Sequence, residues 1–68
     1  MNEDVFNTSI RKFLKTLGVS GQREIEKAVR QALADGRLNG TEKLTAQAVI
    51  TIGSLQFRHE VSEPIELA

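Results

Sequence analysis

The sequence predicts an α+β fold in which two N-terminal helices precede a β-hairpin, in the order α-α-β-β. Apolar residues recur at helical spacing in the first half of the chain, and apolar and polar residues then alternate on either side of the pair Gly53-Ser54. The 68 residues allow a single domain. We expect helices at about 3–17 and 21–35, and strands at about 43–52 and 55–63.

The first helix is predicted by an apolar stripe whose members recur three or four residues apart: Phe6, Ile10, Phe13, Leu14 and Leu17. Asn2 is a typical N-cap for this helix. Gly18 suits a left-handed residue at its end. The pattern therefore predicts a helix that stops at Gly18.

The second helix is predicted by a stripe that contains several small residues: Ile25, Ala28, Val29, Ala32 and Leu33. Ser20 can cap its start, although Arg23 stands where a capping box has Glu or Gln, so the helix could begin at Ser20 or Gly21. Gly36 is expected to end it.

The hairpin is predicted to begin after a turn at Asn39-Gly40. A two-residue turn at Gly53-Ser54 would place Ile52 opposite Leu55 and set the register of both strands. Because proline cannot donate to a ladder, the second strand should end near Pro64 or be an edge strand there. The core face of the first strand is then Leu44, Ala46, Ala48, Ile50 and Ile52.

Composition excludes several classes of function. Nine basic and nine acidic residues give no net charge, which removes the general attraction to phosphate backbones and anionic membranes. The absence of cysteine and the single histidine exclude disulfides and a Cys/His zinc site, so we expect no metal and no cofactor. The acidic start from Met1 to Asp4 and the lack of a long apolar run predict a cytoplasmic protein with no membrane partner.

His59 is the one side chain that titrates near neutral pH, and the predicted register places it on the inner face beside Ala48. A general base would need a nucleophile within reach, and the sequence gives no reason to place Ser54 or Ser62 there. We therefore expect a packed or rim histidine, no catalytic residue and no enzyme.

Nucleic-acid binding is the alternative function. The segment Gly18 to Gly21 resembles the GxxG loop of KH domains, and Leu17 to Arg30 followed by the hairpin resembles half of a winged helix-turn-helix. Acidic residues between the cations of the second helix, and a hairpin tip without Lys or Arg, argue against both. The sequence therefore favours a protein partner over a nucleic acid.

The stretches Met1 to Lys15 and Gln22 to Arg30 support a further comparison. Together with the rest of the chain, they resemble a family of short bacterial proteins of unknown function. The resemblance covers nearly all 68 residues and is most specific from Asn2 to Lys15. It implies a bacterial, free-standing cytoplasmic domain, and it brings no activity, cofactor or catalytic residue.

The outer face of the first strand carries no charge, unlike that of the second, which carries Arg58 and Glu60 and approaches Pro64. Charges and proline normally protect a sheet edge from pairing. The first strand is therefore the predicted interface, through Thr45, Gln47, Val49 and Thr51. We expect a homodimer with a four-stranded sheet around a two-fold axis near Val49, or an unknown protein partner. The predicted function is a small non-catalytic interaction or structural module that acts as a homodimer or accessory subunit.

Overall fold

The structure is a computed structural model that describes all 68 residues. One helix, α1 (Glu3–Ala34), precedes two strands, β1 (Lys43–Thr51) and β2 (Arg58–Glu66). The chain forms two compact units, Met1–Arg37 and Leu38–Ala68. The α+β composition agrees with the sequence, but the predicted pair of helices is wrong, because one helix replaces both. That the chain is a single domain stays a prediction.

The two ends of α1 lie where the sequence predicted the outer ends of the helical region. The Asn2 side chain accepts a hydrogen bond of 3.1 Å from the Val5 N–H, as an N-cap does. At the other end Gly36 has a φ of +76°. The Arg37 N–H donates to the Ala32 carbonyl at 2.9 Å and the Gly36 N–H to the Leu33 carbonyl at 3.2 Å. These two bonds form a Schellman motif, which ends the helix.

The predicted break at Gly18 does not exist. Gly18 and Gly21 lie inside α1, and neither has a positive φ. The Ser20 hydroxyl donates to the Thr16 carbonyl at 2.7 Å, so it caps no second helix. The interpretation of Gly18 as a stop and Ser20 as a cap was therefore wrong.

The physical reason is that the two predicted stripes are in phase. Gly21 lies midway between Leu17 and Ile25, four residues from each. At about 100° per residue, one band about 100° wide runs along the whole helix. A glycine inside a helix costs only about 1 kcal/mol relative to alanine, so two glycines need not break it. We call this band the α1 stripe: Phe6, Ile10, Leu14, Leu17, Gly21, Ile25, Ala28 and Ala32.

The hairpin pairs β1 with β2 antiparallel, from Lys43 opposite Glu66 to Thr51 opposite Arg58. Burial alternates along β1, with half-buried residues between exposed ones. This alternation confirms the predicted face of β1 for its four residues within the strand, Leu44, Ala46, Ala48 and Ile50.

The predicted turn forms, but the predicted register is wrong. The Leu55 N–H donates to the Ile52 carbonyl at 2.9 Å, and Gly53 has a φ of +41°. The strands nevertheless pair only beyond Thr51 and Arg58, so Ile50 lies opposite His59 rather than opposite the predicted Phe57. A shift by two residues keeps every side chain on its predicted face.

The observed register uses residues beyond Pro64, so the second strand is Arg58–Glu66 rather than the predicted 55–63. Ile65 lies opposite Leu44. The Lys43 ammonium lies 3.6 Å from the Glu66 carboxylate. The longer ladder thus gains an apolar pair and an ion pair that the shorter predicted strand leaves out.

The turn before β1 is organised by the carboxylate of Glu42. It accepts hydrogen bonds from the N–H groups of Asn39 at 2.9 Å, Gly40 at 3.0 Å and Thr41 at 3.2 Å. These bonds favour the ionised carboxylate, so the pKa of Glu42 lies below its ordinary value of 4.5, chiefly through the Asn39 N–H. Gly40 has a φ of +98°, which confirms the predicted turn at Asn39-Gly40.

Burial is low in both units. Ala32 is the one buried residue, at 8% exposure. Although α1 has 32 residues, its charged side chains recur too often for a helix that crosses a membrane. The apolar side chains of the helix and of the hairpin therefore remain available to further packing.

Candidate interface: the open edge of β1

The direction of the backbone groups of β1 follows from the hydrogen bonds of the ladder. One step beyond the pair Lys43–Glu66, the Leu67 N–H donates to the Glu42 carbonyl at 3.1 Å. In an antiparallel ladder, residues alternate between positions bonded to the partner strand and positions that face away from it. Counting from Glu42, the even-numbered residues of β1 face β2 and the odd-numbered residues face the open edge.

All four residues of the predicted interface occupy these outward positions. Their side chains are exposed, uncharged and on one face of the sheet, and Val49 is 49% exposed. The structure thus places in one row, along one edge, the backbone groups of Thr45, Gln47, Val49 and Thr51.

The opposite edge, on β2, is protected. The Arg58 Nε donates to the Glu60 carboxylate at 2.8 Å, and these two residues occupy outward positions. Pro64 lies opposite Thr45, also at an outward position, where it contributes no N–H. Paired charges and a missing donor are the usual protection against a further strand. Only the β1 edge therefore presents a complete and uncharged row of donors and acceptors.

The edge also has a structural need for a partner. The sheet has two strands, and an isolated two-stranded hairpin is marginally stable in water. A third strand on the β1 edge would use backbone groups that the hairpin itself leaves unpaired. The chemistry of this edge is therefore that of strand addition.

His59 lies opposite Ile50 and is exposed, rather than beside Ala48 as the sequence predicted. Ser62 is three residues further along the strand, so its side chain is on the other face of the sheet. Ser54 lies in the turn before β2. The structure thus brings neither serine to His59, and it gathers no group of three or more His, Cys, Asp or Glu side chains that could hold a metal ion.

The segment that resembled a KH loop or a helix-turn-helix is continuous helix. Within α1 the Gln22 side chain donates to Glu26 at 3.1 Å, and the Arg30 guanidinium lies 3.4 Å from the same carboxylate. The hydrogen bond from Gln22, and then the charge of Arg30, hold the pKa of Glu26 below its ordinary value. The separate second helix on which both nucleic-acid interpretations depended is absent, and an anionic Glu26 stands among its cations.

Sequence reasoning missed the continuity of the α1 stripe. The signal was available, because the eight members are spaced four, four and three residues apart in a repeat of eleven. This repeat stays in phase along a nearly straight helix. A test for one phase across Gly18 and Gly21 would have predicted a single helix.

The fold and this edge define a small α+β protein with one long helix and a hairpin that is open on one side. The model of a family of unknown function, DUF6494, matches residues 1–68, and the chain belongs to that family. This confirms the resemblance drawn from the sequence to short proteins of unknown function. Comparisons with curated proteins and with solved structures found no match.

Proposed function

We propose that this protein is a non-catalytic assembly module whose β1 edge pairs with the β1 edge of a second copy. The observation that carries the proposal is the row of outward backbone groups at Thr45, Gln47, Val49 and Thr51, on a strand without edge protection. Pairing two such edges about a two-fold axis gives a four-stranded antiparallel sheet.

The axis is placed near Val49. With Val49 opposite its own copy, Gln47 lies opposite Thr51 of the partner subunit, and every one of these residues is at an outward position. The three residue pairs can exchange about six backbone hydrogen bonds. Each contributes roughly 0.5–1.5 kcal/mol net. Valine and threonine also favour the extended backbone.

The first experiment compares the solution mass of the protein with that of Val49→Lys, by sedimentation over a range of concentrations. Two like charges would face each other across the axis and oppose pairing. Within the hairpin, the new ammonium lies opposite Glu60, so the fold of the variant should persist. We expect the mass to fall by half.

Charge complementation tests the position of the axis. Val49→Glu should also prevent pairing, and an equimolar mixture of Val49→Lys and Val49→Glu should restore the lost mass, because opposite charges then face each other. Ser62→Lys is the matched control, since it adds the same charge on the same sheet face but on β2. An unchanged mass for Val49→Lys, or an equal loss for Ser62→Lys, would contradict pairing at this edge.

A monomer at every concentration would instead leave the edge for a different protein, as expected for an accessory subunit. Tagged protein would then be used to capture partners, with Val49→Lys as the negative control. A cytoplasmic location stays a prediction, and cell fractionation tests it.

A further inference from the structure

The α1 stripe is an exposed apolar surface that runs the length of the helix. Phe6 is 46%, Leu14 48% and Leu17 40% exposed. A helix in water gains most of its stability from packing an apolar face, not from helix propensity. At 1.5 Å per residue, the 32 residues of α1 extend over about 48 Å. A stripe of this length requires a cover.

The stripe has a gradient of side-chain size. Its N-terminal half contains large residues, among them Phe6, Ile10 and Leu17, and Phe13 lies on its flank. Its C-terminal half contains Gly21, Ala28 and Ala32, with Ile25 as the one large member. A surface that is large at one end and small at the other is complementary to its own reverse.

We propose that the α1 stripe packs against the α1 stripe of a second copy in antiparallel orientation, about a two-fold axis beside Val19. Each residue then meets one whose number brings the sum to 38, so the large half of each helix covers the small half of the other. The facing pairs are Phe6 with Ala32, Ile10 with Ala28, Phe13 with Ile25, and Leu17 with Gly21.

The same gradient excludes a parallel pair. Parallel packing would place Phe6 against Phe6 and Ala32 against Ala32 of the partner subunit. The distance between helix axes depends on the side chains at the contact, within 8–10 Å. Two phenylalanines and two alanines require different distances along one straight pair, which leaves either overlap at one end or a cavity at the other.

Charge and dipole agree with the antiparallel arrangement. No stripe position between Phe6 and Ala32 carries a charge. Opposed helix dipoles attract, and the acidic first turn with Glu3 and Asp4 comes near Arg37 of the partner subunit. The surface is therefore both apolar along its length and matched in charge at its ends.

This inference does not depend on the pairing of β1. The two surfaces use different residues, and each is isologous, so both can act in one assembly. Two separate two-fold contacts can build an assembly larger than a dimer. Variants of α1 and of β1 would then lower the mass independently.

The first test compares Leu17→Glu with Val19→Glu. Leu17 is in the stripe, whereas Val19 lies two residues away on the opposite side of α1 and is 53% exposed. Both changes replace an exposed apolar residue by the same charge within one helical turn. We expect Leu17→Glu to halve the solution mass and Val19→Glu to leave it unchanged. Circular dichroism at high concentration checks that both variants remain helical.

The second test reads the orientation directly, and it uses the absence of native cysteine. Antiparallel packing predicts that Ile10→Cys chains mixed with Ala28→Cys chains form a disulfide-linked heterodimer under mild oxidation. Neither variant alone should do so, because residue 10 of one chain is 18 residues along the helix from residue 10 of the other, about 27 Å.

Cross-linking of Ile10→Cys to itself would overturn the antiparallel arrangement. Equal masses for Leu17→Glu and the unmodified protein, without cross-linking in the mixture, would show that no second copy covers the stripe. Either result leaves the proposal for β1 intact, because the Val49 variants test that separately.

Discussion

The Ser20 hydroxyl donates a hydrogen bond to the carbonyl of Thr16, four residues earlier in α1, at 2.7 Å. This bond places Ser20 inside a helix rather than at the start of one. It lies between Gly18 and Gly21, the two residues that made a break plausible from local sequence. The stability of α1 around this bond is therefore the first matter to test.

Gly18→Ala should stabilise the protein by about 1 kcal/mol, because alanine has less backbone freedom to lose in a helix interior. A Cβ at Gly18 meets no atom within 4 Å. Thermal unfolding at fixed protein concentration measures the change.

Gly36→Ala is the matched control. With a φ of +76° at this position, alanine should destabilise by about 1–2 kcal/mol. A loss of stability in Gly18→Ala as well would mean that the helix stops at Gly18, contrary to the structure.

Asn2→Ala and Ser20→Ala should differ in effect. Asn2 accepts the Val5 N–H at the start of α1, so its loss should cost about 1 kcal/mol. Ser20 bonds only to a carbonyl within the helix, and alanine is the better helix former, so Ser20→Ala should be neutral or slightly stabilising. Denaturant unfolding compares the two. A substantial loss for Ser20→Ala would identify Ser20 as a cap.

The turn before β1 should open in acid. The pKa of Glu42 is lowered in the folded chain by its bonds from Asn39, Gly40 and Thr41. Its contribution is therefore present above its ordinary pKa of 4.5 and is lost as pH falls through the lower folded value. Amide hydrogen exchange or NMR shifts of these three residues should report the opening.

Glu42→Gln supplies the control for that titration. It keeps the shape of the side chain but accepts the three N–H groups more weakly, so the same amides should be less protected at neutral pH. Protection that is independent of pH in the unmodified protein would show that the carboxylate does not hold this turn.

Proline substitutions in β1 should separate assembly from folding. Val49→Pro removes an N–H that faces the open edge, so the hairpin should persist while pairing between copies is lost. Ala48→Pro removes an N–H that faces β2 and should unfold the hairpin in part. Circular dichroism and solution mass distinguish the two variants. Loss of the hairpin in both would mean that Val49 bonds to β2.

The features that were predictable are those determined by neighbouring residues. Asn2 caps a helix start and Gly36 adopts a left-handed end through bonds that span only a few residues. Alternation placed Leu44, Ala46, Ala48 and Ile50 on one face of β1 because the period of a strand is independent of its partner. The outward position of Thr45, Gln47, Val49 and Thr51 followed from the same alternation.

The features that were not predictable depend on choices between distant parts of the chain. Gly18 can end a helix or lie inside one, and the difference in energy is about 1 kcal/mol, too small for local sequence to decide. Likewise, the turn at Gly53 fits two registers, and pairing at the far end of the hairpin, with Leu44 opposite Ile65, selects one. The sequence by itself therefore determined the fold class, the helix ends and the strand faces, since these depend on short-range hydrogen bonds and periodicity. Only the tertiary structure decided that one helix replaces two and how far the ladder extends, because those outcomes depend on energies summed over many residues.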